Sequence, residues 1–229
     1  MRTLTSRTTL VGAGTAVLLI IAFILLMAMA PARAEAQEAR LARLPAAARA
    51  PIETILAESG AAGLPTEPLI DRALEGAAKG AAPDVIVRAV TRLHDELTNS
   101  RQAFGAGATV AELTAGASAL RAGAKPADLA RLRTLRSDRP LTVAAGVLAD
   151  LVAAGVPADT ATAAVLALVK VDDADYIAFR RNVQRDVALG ASPAAALGVR
   201  LRSFGNSLTA DAPVGEVEPG AVSKRPRKP

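Results

Sequence analysis

Residues 75–90 read EGAAKGAAPDVIVRAV, and two readings compete for them. A phosphate-binding loop needs a preceding strand and the order G-x-x-x-x-G-K-[ST], with its lysine after the second glycine. Here Lys79 precedes Gly80, and the residues upstream, EPLIDRALEGAAK, carry helical spacing. A joint between two helices accounts for each residue instead. Gly80 can take the left-handed conformation that closes one helix, and Pro83 suits the first turn of the next, where its missing N–H had no partner. Asp84 meets the positive end of the new dipole and Lys79 the negative end of the old one. Gly76 falls near a helix end or at a close contact.

The same pattern recurs along the chain at Gly63-Leu-Pro65, Gly123-Ala-Lys-Pro126, Gly155-Val-Pro157 and Gly190-Ala-Ser-Pro193. Glu67, Asp128 and Asp159 follow three of these prolines as Asp84 follows Pro83, and Ser192 stands where an N-cap would. Apolar residues between the joints keep helical spacing: Ile86, Val90, Leu93 and Leu97; Val110, Leu113, Ala117 and Leu120; Leu129, Leu132 and Leu135; Leu197, Leu201 and Phe204. Strand-like alternation is absent. The expected fold is all-α, about seven or eight short helices joined by Gly-x-Pro turns, arranged as a helical bundle or a degenerate helical-hairpin repeat. Alanine dominates the helix faces, which lets helices approach closely while burying little area per residue.

The ends differ from this body. Arg2 and Arg7 precede an uncharged run, VGAGTAVLLIIAFILLMAMA, over residues 11–30, and Ala32-Arg33-Ala34 precedes the first acid, Glu35. This is the layout of a secretory signal peptide over residues 1–34 with an A-x-A cleavage site. At 20 residues the run is also long enough to span a bilayer, so an N-terminal membrane anchor with its basic end in the cytoplasm is the alternative. The expected location is extracytoplasmic, periplasmic or secreted. Residues 35–60 read as an Ala- and charge-rich lead-in that becomes the first helix near Pro51, residues 61–208 as the helical body, and residues 209–229 as a disordered, basic, Pro-rich tail.

Without residues 1–34 the chain holds 24 basic and 22 acidic side chains, a net charge of +2, so the high isoelectric point of the whole chain is no argument for a nucleic-acid partner. There is no cysteine, hence no disulfide framework, no thiolate chemistry and no lipid-modified cysteine.

Catalytic and ligand motifs are scarce. FGAGATVAEL, residues 104–113, has Val110 where a dinucleotide fingerprint needs its third glycine. VDDADY, residues 171–176, clusters Asp172, Asp173 and Asp175 without the glycine and glutamate of an EF-hand loop, so Asp172 or Asp173 is expected to cap a helix. His94 is the single histidine and reads as a solvated residue on a polar helix face, with no second imidazole or thiol for zinc. No cofactor is implied.

Two basic runs and the tail remain. Arg131, Arg133 and Arg136 form one stripe, Arg181 and Arg185 another, and Lys224, Arg225, Arg227 and Lys228 end the chain. All are candidate contacts for an anionic surface, with an affinity that falls as salt is added. The expected function is that of an exported, non-enzymatic interaction or scaffold protein of the cell envelope, whose partner is an envelope protein or an anionic envelope surface. Residues 11–30 add membrane contact if they are retained. The alternatives are a carrier of apolar or lipid ligands and, behind it, a carboxylate-based envelope hydrolase.

Overall fold

In the computed structural model the described residues are 35 and 37–210, of which 205–210 by backbone alone. Residues 1–34, expected to be a signal peptide or anchor, lie outside them, as do residues 211–229 of the expected tail, whose first two residues, 209 and 210, belong to the last helix. Among the described residues there are ten helices and no strand. In chain order they are α1 (37–41), α2 (Ala46–Ala61), α3 (Glu67–Ala78), α4 (Pro83–Phe104), α5 (Val110–Ala122), α6 (Pro126–Leu135), α7 (Thr142–Ala153), α8 (Ala158–Ala167), α9 (Asp173–Ala188) and α10 (Pro193–Ala210). The count exceeds seven or eight because the joints at 42–45 and 136–141 carry no Gly-x-Pro signal.

The five Gly-x-Pro joints share one mechanism. Gly63, Gly80, Gly123, Gly155 and Gly190 all have positive φ, between 67° and 112°. At each, the glycine N–H bonds the carbonyl three residues back and the next N–H bonds the carbonyl five back, as in Gly80 N to Ala77 O and Ala81 N to Gly76 O, both 3.0 Å. These paired bonds satisfy carbonyls that the helix end would orphan. An L-residue at such a φ crowds the following carbonyl, so Gly80→Ala is expected to cost about 1–2 kcal/mol in chemical denaturation. Gly60 lies within α2, and a Cβ there meets nothing within 4 Å. Gly60→Ala is therefore expected to stabilise by about 0.5–1 kcal/mol.

The chain folds as two compact units, divided between Ala117 and Ser118 within α5. In the first, α2 and α3 pack on α4. Ile52 and Leu56, Leu69 and Ile70, and the expected α4 stripe of Ile86, Val90, Leu93 and Leu97 form its core, with Leu41, Leu44, Leu113 and Ala117. Residues 35–60 thus contribute to this core through Leu41, Leu44, Ala48, Ile52 and Leu56. Helix α2 starts at Ala46, with Pro45 as its N-cap and Pro51 inside on an exposed position, earlier than the proline-based reading placed it. Arg40 ties α1 to α3 through Glu67 and, at 2.6 Å, Asp71. Gly76 is a close-packing position, since a Cβ there would lie 3.0 Å from Ile86. Lys79 caps α3 and pairs with Glu75 at 2.6 Å.

In the second unit α7 packs on α8 and α9, α9 on α10, and α8 on α6 and α10. Its buried residues include Leu129, Leu132, Leu148, Leu151, Val165, Tyr176, Phe179 and Val183. Two expected core positions are exposed: Leu135, 48% exposed, and Val110, 59%. Val110 opens the first turn of α5, before the helix meets its neighbours. At α6 the stripe of Leu129 and Leu132 continues into Arg136, which is buried, and Leu135 falls to the side.

Candidate functional site

Helix α2 brings Ser59, fully buried, against His94 of α4, with Oγ 2.8 Å from Nδ1. The histidine is half-buried and paired, which corrects the expectation of a solvated one. A serine beside an imidazole is the raw material of nucleophilic catalysis, but there the serine must give its proton to the ring. Here the Ser59 hydroxyl donates to the Ile55 carbonyl at 2.7 Å, so the Nδ1–H of His94 donates to Oγ. The direction is reversed and the oxygen is closed to substrate, so the pair pins α2 to α4. The two residues are 35 apart in sequence, and no local pattern announces the contact.

The acidic cluster is likewise structural. Asp172 caps α9, accepting from the Asp175 N–H at 2.8 Å, as expected. Asp173 instead receives Arg136 Nη2 at 2.5 Å. Among the described residues no group of three or more His, Asp or Glu is placed to hold a metal ion.

Arg136, read as a surface contact, is only 2% exposed. Its guanidinium donates to the carbonyls of Val171 at 2.6 Å, Val169 at 3.2 Å and Pro140 at 3.4 Å, and lies 5.2 Å from the centre of the Tyr176 ring. Arg139 adds bonds to the carbonyls of Val171 at 3.0 Å and Lys170 at 3.3 Å. The physical reason is the absence of glycine from the joints 136–141 and 168–172. Without the left-handed closure used elsewhere, the carbonyls after α8 need another donor, and the fork of one arginine reaches several at once.

Tyr176 completes this region by donating to the Val165 carbonyl at 2.8 Å. Burial pushes its phenol up to about 12. It is the single tyrosine of the chain, so tyrosinate absorbance reports it alone. The folded protein is expected to titrate near 12, the urea-unfolded chain near about 10. Because the folded state holds the proton longer, stability should fall as pH rises through that interval and be unaffected below it.

The basic runs come apart. Arg131 is exposed on α6, Arg133 is half-buried with Nη1 3.5 Å from the Arg139 carbonyl, and Arg136 is inside, so the first stripe does not form. In the second run Arg180 turns to Asp150 of α7 at 2.5 Å, while Arg181 and Arg185 stay exposed, Arg185 donating to Asn182 Oδ1 at 2.7 Å. Among the described residues no salt bridge to Arg181 or Arg185 is seen, though the Asp186 carboxyl is held below its ordinary range by its bond to Arg200, with the charge of Arg185 adding to it. One turn beyond Arg185, Leu189 is 81% exposed. Lys224, Arg225, Arg227 and Lys228 lie outside the described residues.

Two concave features among the described residues are open grooves. One of about 360 Å³ in the first unit is lined by Gln37, Leu41, Glu53 and Leu56. One of about 300 Å³ in the second has a floor of Ala122, Ala149 and Val152 beside Asp150. Comparison with family models, with curated proteins and with solved structures finds no match to this chain.

Proposed function

We propose that the protein is an exported, non-enzymatic α-helical interaction module of the cell envelope, which docks on an anionic partner through the exposed face of α9 in its second unit. The observation that supports this most is the contrast between groups turned inward and groups left out. Ser59, His94, Arg136 and Asp173 hold the fold together, whereas Arg181 and Arg185 stand exposed beside Leu189. The leader-like residues 1–34 support the envelope as the setting.

The test is the N-terminal sequence and intact mass of the protein taken from soluble, envelope and external fractions of its own cells, with the same material assayed for turnover of envelope polymers. A chain beginning at or near Glu35 outside the cytoplasm, or an uncleaved chain held in the membrane, is expected, with no turnover in either case. A soluble cytoplasmic chain that retains Met1 would overturn the reading. The carrier alternative draws on the apolar floor of the groove between α5 and α7, and native mass spectrometry should then find a lipid bound after gentle extraction.

A further inference from the structure

We infer that Arg181, Arg185 and Leu189 form a ridge that docks on an anionic phospholipid surface, an inference that rests on the envelope reading. Arg181 and Arg185 are four apart on α9 and so share a face, and Leu189, the C-cap of that helix, follows four residues on. The opposite face, with Tyr176, Phe179 and Val183, is buried. The flanks are engaged as well: Arg180 holds Asp150 of α7, and Asp186 accepts two bonds from Arg200 of α10, at 2.6 and 2.7 Å. The ridge is therefore held in place by its neighbours; Arg181 and Arg185 are exposed, and Arg185, which bonds only the neutral Asn182 and feels Asp186 at longer range, keeps a solvent-facing charge.

Charge and shape decide what that is. Residues 118–210 hold twelve basic and eight acidic side chains, a net charge of +4, while residues 35–117 hold eight and eleven, a net charge of −3. The positive potential is concentrated in the unit that carries the ridge. A protein partner of useful affinity would need a broad patch with aromatic or deeply pocketed anchors. This ridge is the exposed face of a single helix and has small Ala174, Ala178 and Ala188 around its arginines. A bilayer asks for no shape match: arginine stems lie along its surface with their heads among phosphates, and a projecting leucine enters the interface.

The experiment uses the protein purified from its own cells, in whichever N-terminal form it has there, and sedimentation with vesicles of phosphatidylcholine alone or mixed with phosphatidylglycerol. Binding should be stronger on the mixed vesicles and fall with added salt. Each basic side chain near an anionic surface contributes about fivefold in affinity, so R181E/R185E should weaken binding to mixed vesicles by about twenty-five-fold or more and leave the residual binding to neutral vesicles unchanged. R131E, an exposed arginine on α6, should have little effect. Equal binding of the native protein to both vesicles, or an R181E/R185E variant that keeps its melting temperature and its affinity, overturns the ridge. Fractionation separates the two failures: a protein found in the envelope that ignores anionic vesicles removes the ridge alone.

Discussion

Arg136→Ala should cost about 3–5 kcal/mol of stability, the scale of losing two or three hydrogen bonds from a charged donor at about 1.5–3 kcal/mol each and a large part of the total for a domain. The substitution leaves the Pro140 and Val169 carbonyls and the Asp173 carboxylate without their arginine donor, leaves the Val171 carbonyl to Arg139 alone, and takes the cation from the Tyr176 ring. Urea denaturation measures the loss, and the near-ultraviolet signal of Tyr176 should change with it. Arg136→Lys should recover only part, because an ammonium cannot reach three carbonyls in fixed directions. The informative control is Asp173→Asn. Asp173 is 41% exposed, so its ion pair is partly solvated and its removal should cost about 1 kcal/mol or less. Equal losses from R136A and D173N would mean that the ion pair, and not the carbonyl bonds, holds the joint.

Gly116→Ala is the second large effect. A Cβ there would lie 2.1 Å from Ser100 Oγ and 2.7 Å from the Phe104 ring, so the two buried side chains must turn away or α5 must move off α4. Overpacking of this kind costs about 1–3 kcal/mol. Ser100 is fully buried and its hydroxyl has no hydrogen-bond partner among the described residues, so S100A alone should be neutral or slightly stabilising. In the double variant the hydroxyl clash disappears while the Phe104 clash remains. The loss should therefore be smaller than the sum of the singles, and a double-mutant cycle reads the difference. A fully stable G116A protein would show that the two helices make room for the methyl at no cost.

The glycine-proline joints and the apolar stripes were readable because both signals are local. A positive φ at five glycines and burial along Ile86, Val90, Leu93 and Leu97 follow from residues a few positions apart. Arg136 was misread for the opposite reason. Its partners lie up to 37 residues away, and in sequence a buried arginine at the end of an apolar stripe looks like one more cation on a solvated face. Its position in register with Leu129 and Leu132 was the available clue. His94 and Ser59 had no such clue, being joined only by the packing of α2 on α4. Arg181 and Arg185 kept their exposed character because an i, i+4 pair needs only its own helix to share a face.

The closures at Gly63, Gly80, Gly123, Gly155 and Gly190 are made by bonds that span at most five residues. Each helix end can therefore form before any distant part of the chain has arrived, and the chain reverses direction without waiting for a long loop to close. Loop-closure entropy enters the folding barrier mainly through non-local pairings, and a helical chain with local reversals should cross that barrier quickly. The joint 168–172 is the exception, since its carbonyls depend on arginines more than 30 residues upstream. It is where folding of the second unit should be slowest to commit.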